Sequence, residues 1–272
     1  MKNGILFLLL TVLCGQMVYA QNGPAPVGDP KLRYTFSQFG DETWLFIKQP
    51  TTWKARDWLT LGAIGAGTYA LMETADQPAR DWALSDQRYA KSVPMEIGRM
   101  WGDLYMPFVL FGGYAIHSLL AEDMGSRKIA YEIGQASIYA GVITYLLKWS
   151  IGRSRPYTNE GPHAFHSFTS PLGALSKSDY QSLPGGHNVA AFVFSTVLSR
   201  NASALWLKIL AYVPAALTFM SRIYQDKHWV SDDFAGAAMG YVIATWVVDQ
   251  HEAEPSPIGV TSLYPLSITV TF

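Results

Sequence analysis

Apolar residues gather into segments of helical length after Pro50, and short polar or Gly/Pro-rich stretches separate these segments. The pattern predicts helices at 54–72, 95–121, 126–149, 187–200, 204–222 and 233–251. A long polar stretch, 151–184, rich in Gly, Pro, Ser and His, interrupts the series, and loops of this length are usually functional. We therefore expect an all-α fold, a bundle of about six helices.

The two ends of the chain follow a different pattern. The stretch LRYTFSQF, residues 32–39, is read as a short strand, and the alternating residues at the end of 253–272 predict one or two further strands docked on the bundle. The expected organisation is a signal peptide (1–20), an N-terminal leader (21–50), a helical domain (51–252) and a C-terminal strand tail (253–272).

The first twenty residues have the features of a secretory signal peptide. Lys2 precedes an apolar core, and Val18 and Ala20 fit the small-x-small cleavage pattern. A lipoprotein signal that uses Cys14 fits less well, because the bulky Leu13 precedes it. Cys14 is the only cysteine, so the mature chain would have no disulfide, thiol nucleophile or Cys-based zinc site. We expect secretion across the inner membrane to the periplasm, as a soluble or membrane-associated protein.

Composition narrows the class of protein further. Hydrophobic residues make up 49% of the 272 residues, which favours a compact fold, and a net charge of −1 without a basic face argues against nucleic-acid binding. The apolar cores of the predicted helices are about 12 to 16 residues long, whereas a bilayer span needs roughly 20. A soluble or membrane-adherent bundle is therefore favoured over a polytopic membrane protein.

The first of three candidate motifs is KWSIGRSRP at the end of the third predicted helix. It contains Lys148, Arg153 and Arg155, and Pro156 fixes the chain direction so that Lys148 and Arg155 could face a common point. A Lys point charge and a planar Arg fork suit the several oxygens of a phosphate. The alternative is that these cations only complement the negative end of a helix dipole.

The second motif, SLPGGHNVAAFVFS, places two glycines before His187 where a helix is predicted to begin. Unpaired N–H groups at a helix N-terminus bind anions, and a glycine such as Gly186 lets the backbone approach a ligand. His187 could then give or take a proton. The alternative is an ordinary Gly-rich helix start with a capping His.

The third motif, SRIYQDKHWVSDD, contains Arg222, His228 and Asp232. If the segment is helical, His228 and Asp232 share one face; otherwise a loop could bring them together. A carboxylate on one imidazole nitrogen fixes the tautomer and leaves the other nitrogen as a nucleophile. The alternative is a merely structural His–Asp pair.

Taken in order, Lys-x6-Arg-Pro, Pro-Gly-Gly-His and Ser-Arg-x5-His-x3-Asp resemble the motifs of the type 2 phosphatidic acid phosphatase (PAP2) superfamily. That superfamily includes bacterial class A acid phosphatases and vanadium-dependent haloperoxidases. The resemblance covers about residues 126–251 and implies a helical-bundle fold. The matching positions are Lys148, Arg155, Pro156, Pro184, Gly186, His187, Ser221, Arg222, His228 and Asp232.

The resemblance also implies an activity: metal-independent hydrolysis of a phosphomonoester or diphosphate, through a phosphohistidine and without a cofactor. The aromatic-rich helices and the expected secretion favour a lipid phosphate over a soluble ester. The phosphate-binding residues would be Lys148, Arg155, Gly186 and Arg222. His228 would attack phosphorus, Asp232 would orient His228, and His187 would protonate the leaving group. The expected partners are a phosphorylated lipid and a membrane surface, and the loop 157–183 would set substrate choice.

One position departs from the motif. Gly185 stands where the superfamily usually has a serine, which removes a hydroxyl expected to donate to a phosphate oxygen. Such a loss costs roughly 1 to 3 kcal/mol if nothing replaces the donor. Ser182 is an imperfect substitute, so we expect weakened or re-tuned catalysis. The alternatives left open are a soluble non-specific acid phosphatase, a haloperoxidase that binds vanadate, and a non-catalytic anion- or lipid-binding protein.

Two other groups of polar residues are interpreted as structural. His163 and His166 form an H-x-x-H pair in the polar loop, and a solvated loop is preferred there to a metal site. Asp76, Arg80 and Asp81 are interpreted as a charge cluster at a helix end. We therefore expect no metal site in this chain.

Overall fold

The computed structural model describes residues 33–168 and 178–252, and these residues are mostly helical. Nine helices of nine or more residues and one short helix lie in this part of the chain. They are α1 (Phe36–Thr52), α2 (Ala55–Thr74), α3 (Asp76–Ser85), α4 (Val93–Trp101), α5 (Met106–Ala121), α6 (Met124–Ile151), α7 (Gly186–Asn201), α8 (Leu205–Leu210), α9 (Val213–Tyr224) and α10 (Val230–Asp249). The predicted helical class is confirmed, but the predicted number of about six helices is too low.

Several segments expected from the sequence lie outside the residues that the structure describes. The signal peptide, residues 21–32 of the leader and the strands predicted within 253–272 lie outside the described residues. Within the described ranges the only β pairing is an isolated bridge between Arg153 and Phe165.

Two of the predicted helices are each divided in two. Segment 95–121 breaks after Trp101, where Gly102 packs against the start of α7. A Cβ at Gly102 would lie 2.5 Å from the backbone carbonyl oxygen of His187, so only glycine allows this approach. Segment 204–222 divides before α9, whose first turn contains Pro214, and α5 likewise begins with Pro107.

The strand predicted at 32–39 is wrong, because this stretch contains the start of helix α1. The side chain of Thr35 accepts a hydrogen bond from the Gln38 backbone N–H at 3.2 Å, and the Gln38 side chain accepts one from the Tyr34 N–H at 2.6 Å. This pairing is close to a capping box, except that Gln38 accepts from the residue before the N-cap Thr35, and Thr-Phe-Ser-Gln fits the capping-box sequence pattern. The part of the predicted leader from Phe36 onward is therefore a helix, and its Phe46 ring stacks on Tyr139 of α6 at 4.3 Å.

Helix α7 lies at the centre of the bundle and packs chiefly against α10, α6 and α9. Its side chains are buried on nearly every face from Asn188 to Ser199, as expected for a helix surrounded by other helices. The predicted Gly-Gly-His turn lies at the start of α7. Because the rest of α7 is packed in the core, the position of this turn is fixed by that packing.

A buried ionic cluster closes the opposite end of the bundle. His251, just after α10, lies between two carboxylates: its Nε2 is 3.1 Å from Glu42 of α1 and its Nδ1 is 3.3 Å from Glu132 of α6. Burial alone would lower the pKa of His251, but the contacts with Glu132 and Glu42 outweigh burial and raise it. This cluster ties α1, α6 and the end of α10 together.

The surface carries many large apolar side chains. They are concentrated on α1, α2 and α5 and include Trp44, Leu45, Ile47, Trp58, Leu59, Leu61, Phe108, Phe111, Ile116, Leu119 and Leu120. Among the described residues no single helix has the length and hydropathy to cross a bilayer; α4 and α5 meet those criteria only together, and they join at a bend of 72°.

The charge of His251 should stabilise the fold below neutral pH. Because its pKa is raised in the folded state, this stabilisation is fully present below the unfolded value of about 6.5 and is lost as the pH rises through the folded pKa. We expect His251→Gln to lower the free energy of unfolding by about 3 kcal/mol at pH 6, since it leaves the two carboxylates without their cation. The deficit should shrink at alkaline pH.

Denaturant unfolding measured from pH 6 to pH 9 tests this expectation, with the exposed His163→Gln as the matched control. An equal, pH-independent effect of the two substitutions would contradict it.

Candidate active site

The three predicted motifs meet at one end of the bundle. The end of α6 supplies Lys148, whose ammonium group donates to the backbone oxygen of Gln181 in the segment that leads to α7. The same ammonium group lies beside the glycine turn, because a Cβ built on Gly186 would be 3.8 Å from Nζ of Lys148. The structure thus brings the first two motifs together.

The glycine turn and the start of α10 are in direct backbone contact. Gly185 precedes the first residue of α7, and its N–H donates to the backbone oxygen of Asp232 at 2.8 Å. A Cβ at Gly236, one turn further along α10, would lie 2.5 Å from the Gly185 oxygen, so glycine is needed there as well. This packing joins the second motif to the third.

Asp232 is held by groups other than the histidine expected beside it. Its Oδ1 accepts from Arg153 Nη1 at 2.7 Å, and its Oδ2 accepts from the Trp229 backbone N–H at 2.9 Å and from the Ser182 hydroxyl. Ser182 was interpreted as an imperfect substitute for the missing phosphate donor. Its hydroxyl instead binds Asp232, and this position of Ser182 speaks against that role.

Arg153 is the centre of this buried network, and its central position was not predicted from the sequence. Its guanidinium group is fully buried and also contacts Asp76 Oδ2 and Ser231 Oγ, each at 2.7 Å. Asp76 in turn accepts from the N–H and hydroxyl of Ser231. The first motif did contain Arg153, but sequence spacing cannot tell which of two neighbouring arginines faces inward.

His228 lies in the turn between α9 and α10, so a turn rather than a shared helix face brings it near Asp232. Its Nδ1 is 3.8 Å from Asp232 Oδ2, too far for a hydrogen bond. Burial, together with Arg155 and Lys148, holds the pKa of His228 well below its ordinary value. Its ring is therefore neutral at pH 7, and its lone pair is available.

The cations of the site are partly desolvated and repel one another. Burial and the charge of Arg155 lower the pKa of Lys148 to about 7. Burial also lowers the pKa of Arg155, and that of Arg222 to about 10. Part of each guanidinium is already engaged: Arg155 donates to the Ser178 oxygen at 2.7 Å, and Arg222 donates to Gln225 at 2.6 Å.

His187, the second residue of α7, belongs to the same electrostatic cluster. Burial lowers its pKa to about 2, and the charges of Arg222, Arg155 and Lys148 contribute to this shift along with His228. The two imidazoles and three cations predicted for the phosphate site therefore lie close enough to shift one another's pKa values. They are His187, His228, Lys148, Arg155 and Arg222. A single anion among them would relieve this repulsion.

Several buried polar atoms at this end of the bundle have no hydrogen-bond partner of ordinary geometry among the described residues. They are Nε of Arg222, Nδ1 of His228, both amide atoms of Asn188 and both carboxyl oxygens of Asp233. Buried polar groups are normally paired, so such a concentration marks a place where a ligand would supply partners. Neither Asn188 nor Asp233 was identified from the sequence.

The H-x-x-H pair lies apart from this network. His166 binds Glu160 at 2.7 Å, and His163 lies 3.8 Å from Glu73, both at the surface. Among residues 33–168 and 178–252, no three His, Cys, Asp or Glu side chains are grouped as metal ligands.

Comparison with known proteins agrees with the motifs. The PAP2 superfamily model matches residues 131–255, and the predicted resemblance to that superfamily is confirmed. A lipid A 1-phosphatase of Porphyromonas gingivalis is 32% identical over 80 residues, which are 28% of this chain and only 18% of that relative. Lipid phosphate phosphatase gamma of Arabidopsis thaliana is 24% identical over 65% of this chain and 77% of its own length.

A solved structure has the same fold. The transmembrane PAP2-type phosphatidylglycerolphosphate phosphatase of Bacillus subtilis superposes with a TM-score of 0.51 over 72% of this chain and 97% of its own, at 18% identity. The helical architecture around the motifs is therefore shared with a PAP2 enzyme.

Removing the Arg153 guanidinium should destabilise the protein severely. Arg153→Met leaves Asp76 and Asp232 buried without a cation, and breaking such a pair costs about 3 to 5 kcal/mol. The stability of Arg153→Lys should lie between that of the wild type and that of Arg153→Met, because an ammonium group cannot reach both carboxylates as a planar guanidinium does. Denaturant unfolding measures the effect.

The matched control is Arg88→Met, since Arg88 forms its ion pair with Asp86 at the surface and should be dispensable. Equal midpoints for the Arg153 and Arg88 variants would refute this account of the buried network.

Anion affinity should depend on the charge of Lys148. Sulfate stays doubly charged from pH 5.5 to 9, whereas Lys148 with a pKa of about 7 must take up a proton to bind it above neutrality. The contribution of Lys148 to sulfate affinity should therefore be constant below pH 7 and fall by up to about tenfold per pH unit above it.

Calorimetric titration of the wild type and Lys148→Met isolates this contribution, with the exposed Lys54→Met as control. The same sulfate affinity in wild type and Lys148→Met would exclude Lys148 from the anion site.

Proposed function

We propose that this protein is a phosphatase that hydrolyses the phosphomonoester or diphosphate of a lipid, through a phosphohistidine and without a metal ion. The observation that carries this proposal is the convergence of three cations with two neutral imidazoles beside the glycine turn. These groups are Lys148, Arg155, Arg222, His187 and His228. Phosphoryl transfer needs little more than spread positive charge, an aligned nucleophile and a leaving-group acid.

His228 is the proposed nucleophile. Because Asp232 lies on its Nδ1 side, Nε2 is the nitrogen that faces away and attacks. A bond forms between Nε2 and phosphorus as the bond from phosphorus to the leaving oxygen breaks and that oxygen keeps the electron pair. The network of Arg153 holds Asp232 fixed, so Asp232 stabilises the resulting cationic ring through space rather than through a hydrogen bond.

His187 is the proposed proton donor and acceptor. With the site empty its ring is neutral, so the acid role requires that substrate raise its pKa. A phosphate dianion between His187 and the cations has this effect, because it replaces net repulsion by attraction. His187 then protonates the leaving oxygen, and in the second step it accepts a proton from the water whose oxygen displaces Nε2 from phosphorus.

The proposed substrate class is a lipid phosphate. The names of the Porphyromonas gingivalis and Arabidopsis thaliana relatives, and of the Bacillus subtilis enzyme, refer to lipid substrates. The exposed apolar side chains of α1, α2 and α5 support contact with a membrane surface, where a lipid headgroup would be presented. A periplasmic location after secretion remains part of the proposal.

Hydrolysis of phosphatidic acid in mixed micelles or vesicles tests this function. We expect His228→Ala to abolish turnover and His187→Ala to lower it by about 10² to 10⁴-fold. The His187→Ala defect should be smaller with p-nitrophenyl phosphate, whose leaving group needs no proton. Radiolabelled substrate should trap an acid-labile phosphoenzyme in the wild type and none in His228→Ala.

The exposed His163→Ala serves as the matched control and should retain full activity. Equal residual turnover in wild type and His228→Ala would favour the non-catalytic alternative. Loss of activity with a chelator would contradict the metal-free mechanism, and preference for soluble esters over lipid would favour the acid-phosphatase alternative.

A further inference from the structure

The space in which a side chain at position 185 would project is filled by another residue. A Cβ built on Gly185 would lie 2.5 Å from Oδ1 of Asp233, closer than real Cβ contacts. A serine at this position is therefore incompatible with the observed placement of Asp233. The carboxyl of Asp233 thus lies against the place where the Cβ of the usual motif serine would be.

Asp233 is buried, and no ion pair among the described residues accounts for its burial. Among the described residues no cation lies within 4 Å of its carboxyl, and neither carboxyl oxygen has a hydrogen-bond partner of ordinary geometry. The Asn188 amide of α7 interacts with this carboxyl, but not with the geometry of an ordinary hydrogen bond. A buried carboxyl whose hydrogen bonds are incomplete is costly, and a ligand beside it would supply a further partner.

The carboxyl lies within the electrostatic reach of the phosphate-site cations. Its charge acts on Lys148 of α6, on Arg155 of the following loop and on Arg222 of α9. Burial and the neighbouring Asp232 raise the pKa of Asp233 well above its ordinary value, although Arg222 and Lys148 act against this shift. A protonated carboxyl has an O–H group that can donate a hydrogen bond, as serine does.

We propose that Asp233, in its protonated form, donates a hydrogen bond to a phosphate oxygen and thereby takes the place of the serine that Gly185 lacks. Asp233 is then a substrate-binding residue, and Gly185 is required to make room for it. This inference rests on the proposed phosphatase function, since it deepens the account of the same site.

A pH dependence follows from the two forms of this carboxyl. When Asp233 ionises, it loses its donor and repels a phosphate dianion. The groups that face it are Lys148, Arg222, Asp232 and the neutral Asn188. Activity should therefore fall as the pH rises through the pKa of Asp233. Asp233→Asn removes this titration but keeps an N–H donor, so the fall in activity that belongs to Asp233 should disappear from its pH profile.

Four variants test whether Asp233 takes the place of the motif serine. We expect Asp233→Asn to stay within about threefold of wild-type kcat/KM, and Asp233→Ala to lose tenfold to a hundredfold. Adding Gly185→Ser to Asp233→Ala should recover most of the loss, because the closest contact of the serine Cβ, with Oδ1 of Asp233, is then removed and the hydroxyl can bind a phosphate oxygen. Gly185→Ser alone should be worse than wild type, since its Cβ would collide with Asp233.

The outcomes separate this inference from the proposed function. If wild type turns over substrate and His228→Ala does not, the function stands. Asp233→Ala with wild-type kcat/KM then overturns the role of Asp233. A loss that Gly185→Ser fails to restore, with an unshifted pH profile in Asp233→Asn, also overturns it and assigns Asp233 to structural packing against Asn188.

If no turnover is found at all, the proposed function fails and binding still tests Asp233. Calorimetric titration with sulfate should give tenfold to hundredfold weaker binding for Asp233→Ala, restored in the double variant. Equal affinity in wild type and Asp233→Ala would overturn the inference, and thermal unfolding of each variant establishes that it is folded.

Discussion

The buried guanidinium of Arg153 is the interaction on which the geometry of the site depends. It binds Asp76 at the start of α3 and Asp232 in the first turn of α10, and all three side chains are fully buried. Desolvating such charges is expensive, so they are tolerated only when the geometry is fully satisfied, as Ser231 and the Pro162 carbonyl ensure here. Displacing any of these groups would leave a buried charge without its partner. This interaction therefore fixes α3, the loop after α6 and the start of α10 relative to one another.

A second constraint arises from like charges held together on that frame. Lys148, Arg155 and Arg222 lie in a partly desolvated cluster, and the pKa of each is lowered. The same field keeps His187 and His228 neutral. Neutral imidazole is the nucleophilic form, so one electrostatic arrangement suits both the anion and the nucleophile of the proposed reaction. A bound phosphate would relieve the repulsion among the cations.

Local signals accounted for much of the fold. Periodic apolar residues predicted the central helices α6 and α7 to within two residues at each end, because a helix surrounded by apolar neighbours shows a continuous hydrophobic pattern. The breaks before α5 and α9 were missed although Pro107 and Pro214 mark them. The start of helix α1 was mistaken for a strand, although the capping interactions of Thr35 and Gln38 there are a readable local signal.

The amino-acid sequence by itself determined the resemblance to the PAP2 superfamily, the order of the three motifs and the identity of the expected cations and histidines, because these depend on residue type and spacing along the chain. Only the tertiary structure decided which arginine turns inward to Asp232, that Ser182 binds this carboxylate and that Asp233 fills the space beside Gly185. These contacts join residues about 50 to 80 positions apart, and pairing across such separations is set by how helices pack in three dimensions rather than by any local pattern.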